Sequence, residues 1–122
     1  MKKVLVVDDS ATVRHQVRAA LKGAGFDVIE ASDGAEGVAK VSSDNTIGMV
    51  ILDVNMPLMS GLEMLENIKR DGKNASMPVV MLTSEGQQEL IERAKRAGAR
   101  GWIVKPFKAD QLVATVRKLI AA

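Results

Sequence analysis

At 122 residues the chain has the length of one ordinary domain and is too short for two. Its 47% hydrophobic and 26% charged content excludes a disordered chain, and the absence of cysteine excludes disulfides and thiolate metal sites, which fits a reducing compartment. The net charge of +2 hides a division: residues 1–92 carry 9 Lys and Arg against 14 Asp and Glu, giving −5, while residues 93–122 carry 8 basic residues against Asp110 alone, giving +7.

Taken in chain order, the hydrophobic pattern alternates between two periods. Met1-Lys2-Lys3 leads into a short apolar run, Val4–Val7, that ends at Asp8 and Asp9. That run is too short for a signal peptide, and nothing later approaches a membrane span, so the cytoplasm is the expected location. Val13, Val17, Ala20, Leu21 and Ala24 then form one helical stripe, closed by Gly25. Val28–Ala31 suits a strand, Ala35–Val41 a weaker helix, and Met49–Leu52 a second fully apolar strand. A helix over Leu62–Ile68 precedes the strand Val79–Leu82, and Leu90, Ile91, Ala94 and Ala97 mark a helix closed by Gly98. Trp102–Val104 is a short last strand, and Leu112, Val113, Val116, Leu119 and Ile120 stripe the final helix.

Five strands alternating with five helices predict an α/β fold: one parallel sheet with helices on both faces. Three of the runs are apolar throughout, as strands buried on both sides should be. The run containing Glu30 and the one around Trp102 read as edges. With right-handed crossovers this favours the order 2-1-3-4-5, a flavodoxin-like arrangement, over residues 1–122 as a single domain.

Ligands of such sheets bind beyond the carboxyl ends of the strands. The first strand ends in Asp8-Asp9, the third in Asp53, the fourth in Thr83-Ser84 and the fifth in Lys105-Pro106, so three carboxylates should converge. Two like charges about 4 Å apart repel by roughly 4 kcal/mol at an effective dielectric near 20, which calls for a cation. Mg²⁺ is the expected cofactor, because it takes one or two carboxylates and completes its shell with water and phosphate oxygens. Lys105 and Thr83 supply a positive charge and a hydroxyl donor, so the set has what phosphoryl transfer to a carboxylate requires.

VLVVDDS (4–10), ILDVNMPLMSGLEML (51–65), VVMLTS (79–84) and VKPF (104–107) together resemble the receiver domain of bacterial response regulators over essentially the whole chain. The resemblance implies that Asp53 is the phosphorylated residue. It implies that Asp8, Asp9 and the backbone carbonyl of Asn55 join Asp53 around Mg²⁺, that Thr83 and Lys105 hold the phosphoryl group, and that the Lys105–Pro106 bond is cis. It also implies an aromatic switch at Trp102, where the family usually carries Tyr or Phe and an indole is bulkier.

Each residue has a plainer reading. Asp8 and Asp9 are suitable helix caps, but a cap needs one residue and Ser10 follows. Asp53 could be a turn residue before Pro57, Thr83 a strand-end threonine and Lys105 a solvated lysine; their joint spacing favours the site. His15 lies off the helical stripe and reads as solvated. Gly23-Ala24-Gly25 ends a helix and is no dinucleotide fingerprint, and Met56, Met59 and Met64 read as packing residues.

The expected function is a phosphorylation-activated switch of a two-component system. A histidine kinase is its phosphodonor, and an acidic surface of a target protein binds the basic last third. Two Phe and one Trp with no interleaved aromatic-basic pattern argue against nucleic acid. No membrane partner is expected, and the chain should be a monomer without an output domain. NMPLMSGLEML, with Asn55 and Glu85, is similar to chemotaxis regulators that act on the flagellar motor. The alternatives are a phosphorelay intermediate serving a histidine phosphotransfer protein and an aspartate-based phosphatase. The latter would use an Asp-x-Asp pattern after the first strand, where this chain has Asp8-Asp9-Ser10. The chain is not expected to be an enzyme beyond its own phosphorylation and dephosphorylation.

Overall fold

The alternation of short aliphatic runs with amphipathic stripes produces a three-layer structure, described by a computed structural model over residues 3–54, 61–70, 76–83 and 88–120. The strands are β1 (Lys3–Val7), β2 (Asp27–Ala31), β3 (Ile47–Asp53), β4 (Val79–Thr83) and β5 (Gly101–Val104). The helices are α1 (Ala11–Gly23), α2 (Gly34–Ser43), α3 (Gly61–Arg70), α4 (Gln88–Arg96) and α5 (Ala109–Leu119). All strand pairs are parallel and the order is β2-β1-β3-β4-β5, as the sequence predicts.

β3 and β4 are buried along their whole length, whereas β2 and β5 expose residues, as edges do. Alternate strand side chains serve two cores. Leu5, Val50, Leu52 and Met81 meet Met64, Leu65 and Ala94 of α3 and α4 on one face. Val4, Val6, Ile51 and Leu82 meet Val17, Leu21, Leu112 and Val116 of α1 and α5 on the other. Each such side chain removed fully from water contributes roughly 1.5–3 kcal/mol. Met64 is among them, as expected, while Met56 and Met59 lie outside the described residues.

Local chemistry fixes the helix ends. The Ser10 side chain accepts from Val13 N–H and caps α1. Asp33 accepts from Glu36 N–H while Glu36 accepts from Ser32 N–H, a reciprocal capping arrangement for α2. Gly25 and Gly98 take φ of 93° and 104°, where a side chain would be strained, and so turn the chain out of α1 and α4 into the next strands.

Gly61 matters most for the site. A Cβ there would lie 2.2 Å from the Asp53 carbonyl oxygen and 2.8 Å from Val54 Cα, and Gly61 N–H donates to the Val54 carbonyl at 3.0 Å. The start of α3 is thus pressed against the backbone that carries Asp53. Gly61→Ala is expected to cost about 1–3 kcal/mol in urea or thermal unfolding, because main chain cannot retreat as a flexible side chain would.

Candidate functional site

The carboxyl ends of β1, β3, β4 and β5 carry the predicted residues to one place. Asp8, Asp9 and Asp53 each offer a carboxylate oxygen, and these oxygens lie within 4.8 Å of one another. Asp8 is fully buried, Asp53 is 4% exposed and Asp9 is exposed. Thr83 ends β4, which neighbours β3, and its side-chain oxygen is buried without a hydrogen-bond partner among the described residues. A buried hydroxyl normally finds a partner, so this one is available to a ligand as far as the described residues go.

Lys105 stands inside the cluster. Its Nζ is 3.0 Å from Asp8 Oδ2 and 3.4 Å from Asp53 Oδ1. Burial alone would lower its pKa, but the hydrogen bond to Asp8 and the charges of Asp53 and Asp8 outweigh burial and raise it above the ordinary lysine value. One cation demanded by the crowded acids is therefore a side chain of the protein itself. Among the described residues, three carboxylates gathered around one ammonium leave the pocket with an excess of acidic groups. The residues present fit a divalent ion: hard oxygen donors, one of them exposed, beside an unpaired hydroxyl. Asp8, Asp9 and Asp53 would hold it.

Other expectations can be placed. The Lys105–Pro106 bond is cis. His15 is exposed, and the cap of α1 falls to Ser10, which leaves Asp8 and Asp9 for the site. Asn55, Ser84 and Glu85 lie outside the described residues. Trp102 is half-buried, packs at the margin of the α3/α4 core, and has Lys95 Nζ 4.6 Å from its ring centroid. Beside Lys105-Pro106-Phe107 an apolar groove of about 740 Å³ opens along Val13, Gln16, Ala19 and Ala20 of α1.

Arg14 was not legible as a site residue. Its Nη1 donates to the Asp8 carbonyl at 2.6 Å, while its Nε pairs with Glu30 Oε1 at 3.0 Å. The available signal was a glutamate within an aliphatic strand and two arginines four residues apart on the preceding helix.

The family described as "Response regulator receiver domain" matches residues 4–117. The chain is 38% identical over 111 residues to chemotaxis protein CheY1 of Helicobacter pylori, covering 90% of each. It is 36% identical to chemotaxis protein CheY-3 of Vibrio cholerae, covering 96% of this chain and 90% of that protein. Among solved structures, chemotaxis response regulator CheY4 of Vibrio cholerae superposes with a TM-score of 0.91 at 38% identity, covering 98% of this chain and 99% of that one.

Two outcomes follow from the charge excess. In metal-free buffer Asp53→Ala should melt above the wild type, by the equivalent of about 1 kcal/mol, because removing one of three crowded acids relieves more repulsion than its share of Lys105 returns. Added Mg²⁺ should then raise the wild-type melting temperature more than the variant's, narrowing or reversing the gap. Lys105 has a pKa raised by folding, so its stabilisation is complete below the ordinary value of 10.5 and is lost as pH rises through the higher folded value. The stability difference between wild type and Lys105→Met should accordingly stay constant from about neutral pH to about pH 10 and shrink above it in urea titrations.

Proposed function

The chain belongs to the response regulator receiver domain family, and on that premise we propose that it is a phosphorylation-dependent switch whose acceptor is Asp53 and whose output is a protein contact made by α4, β5 and α5. The observation that carries the reading is the buried Asp53 carboxylate facing Lys105, with the Thr83 hydroxyl, unpartnered among the described residues, on the adjoining strand end.

In the proposed reaction an Asp53 oxygen attacks the donor's phosphorus. An O–P bond forms as the P–N bond of a phosphohistidine breaks and the departing imidazole nitrogen takes up a proton, or as the P–O bond of acetyl phosphate breaks and acetate departs. Lys105 exchanges part of its contact with Asp53 and Asp8 for a phosphoryl oxygen, and Thr83 donates its hydroxyl to another. Mg²⁺, when bound, would neutralise charge on the acids and the phosphoryl oxygens. The apolar groove beside Lys105 gives a helix of a histidine kinase a place to rest next to the acceptor. The chain turns over no separate substrate on this reading.

The output face is supported by charge and shape. Arg93, Lys95, Arg96, Arg100, Lys108, Arg117 and Lys118 are all exposed, and Val104 is 42% exposed on the edge strand. Such a face suits an acidic segment with an apolar anchor. The chemotaxis names of the relatives support a role in chemotaxis, and the target we propose within it is a motor-switch protein. Phosphorylation shifts a two-state equilibrium in which Trp102 moves inward from its half-buried place. The described residues include no helix long and apolar enough to cross a membrane, and we place the switch in the cytoplasm.

Acetyl phosphate with Mg²⁺ should add one phosphoryl group, mapped to Asp53 by intact mass and peptide analysis, and Asp53→Asn should stay unlabelled. Many turnovers of a phosphomonoester by Asp53→Asn would instead support the phosphatase. The same samples report the switch through the only tryptophan: Mg²⁺ with beryllium fluoride should change Trp102 emission, and an unchanged spectrum removes the inward movement. Capture by the activated form separates a motor-switch target from a histidine phosphotransfer protein.

A further inference from the structure

Asp8 is held at every polar group it has. Its N–H donates to the Ala31 carbonyl at 3.1 Å, its Oδ1 accepts from Ser10 N–H at 2.9 Å, its Oδ2 accepts from Lys105, and its carbonyl accepts from Arg14. Three of these bonds belong to the strand pairing, the turn into α1 and the acid cluster itself. The fourth comes from a long, normally mobile side chain, and it is kept in place by a second contact. Glu30 on β2 takes Arg14 Nε on one carboxylate oxygen and Arg18 Nη1 on the other, at 2.5 Å. Arg14 is only 17% exposed and Glu30 19%, so both are committed to this geometry.

The carbonyl that Arg14 grips lies in the planar peptide unit joining Asp8 to Asp9. Fixing that oxygen fixes the plane from which the Asp9 side chain departs, and Asp9 is the exposed member of the acid cluster. We propose that Arg14, oriented by Glu30, is a positioning residue for the acid site: it sets the Asp8–Asp9 peptide so that the Asp9 carboxylate is presented to a divalent ion already facing Asp8 and Asp53. This rests on the reading of the site as a Mg²⁺ site.

Charge alone predicts the reverse consequence. A guanidinium beside an acidic cluster repels an incoming cation, so its removal should strengthen metal binding if Arg14 acted only through its field. If it acts by positioning, removal should weaken binding. Arg18 supplies the matched control: it also pairs with Glu30 and also donates to a carbonyl, but that carbonyl is Val28's, at 3.2 Å and away from the acids.

The test is Mg²⁺ titration calorimetry on wild type, Arg14→Gln, Arg18→Gln and Arg14→Lys, with melting temperatures alongside. Loss of a group that orients metal ligands commonly costs 10–100-fold in affinity. Arg14→Gln should therefore bind Mg²⁺ about tenfold more weakly, whereas Arg18→Gln should lose stability with unchanged affinity. Arg14→Lys, which keeps the charge but cannot bridge both partners, should bind weakly as well, and it carries the test if Arg14→Gln does not fold. Equal effects of Arg14→Gln and Arg18→Gln, tighter binding by Arg14→Gln, or wild-type affinity in Arg14→Lys would each overturn the inference. If the wild type itself takes up no Mg²⁺, the reading of the site falls and the inference falls with it.

Discussion

Lys105 Nζ stands 3.0 Å from Asp8 and 3.4 Å from Asp53, and on that one ammonium depends the folding of two buried carboxylates side by side at the end of a parallel sheet. Burying each ion costs several kcal/mol, and the attraction between partners offsets this only when the geometry is good. Lys105 is delivered there by the backbone. Its N–H donates to the Thr83 carbonyl at 2.7 Å, so the end of β5 is tied to the end of β4 one residue beyond the strand pairing. The same bond sets the lysine beside the hydroxyl-bearing residue of the site. The compensation is partial, since the one lysine meets Asp8 and Asp53 while Asp9 completes a cluster of three acids. A site balanced by its own side chains would have no use for an added ion. This one keeps an excess of acid that could hold a metal ion.

The two adjacent aspartates divide the work unequally. Asp8 is buried with all its polar groups engaged, and Asp9 stands in solvent one peptide away. A buried ligand next to an accessible one would suit Mg²⁺, which dehydrates reluctantly and keeps several waters. Gly61 supports the other side of the pocket, where the absence of a Cβ lets α3 begin against the Asp53 carbonyl.

The sheet and most of the site were legible because they follow from periodicity and from what ends each strand. VLVV, MVIL and VVML are apolar on both faces, and they became β1, β3 and β4; Glu30 and Trp102 marked the two edges. The convergence of Asp8, Asp9, Asp53, Thr83 and Lys105 followed from strand order alone. What sequence could not supply was side-chain reach. A lysine 52 positions beyond Asp53 in the chain could have pointed outward to await a phosphate; the structure turns it inward onto the acids. Arg14 and Glu30 were hidden for the same reason, because an ion pair between a helix and an edge strand leaves no periodic trace. Element boundaries shifted by a residue or two: β3 runs from Ile47 to Asp53 instead of Met49 to Leu52, because Ile47, Gly48 and Asp53 pair or bury with the strand.

The link from site to surface also runs through Lys105. It continues directly from β5, whose Trp102 and Val104 lie on the side facing α4, and Lys95 of α4 rests over the indole. A cation over an aromatic face is worth about 0.5–1 kcal/mol when exposed, so it can hold Trp102 in its half-buried place without locking it there. On the proposed mechanism a phosphoryl group on Asp53 draws Lys105 and the Thr83 hydroxyl toward new oxygens, at the ends of β5, which carries Trp102, and of its neighbour β4. On that mechanism the hydroxyl would be the cheaper of the two to move, because it is buried without a partner among the described residues and would gain a hydrogen bond. The energetic bias between two positions of Trp102 would, on the proposed mechanism, have to be small for one new bond at Thr83 to tip it, a balance that a fully buried core residue would not provide.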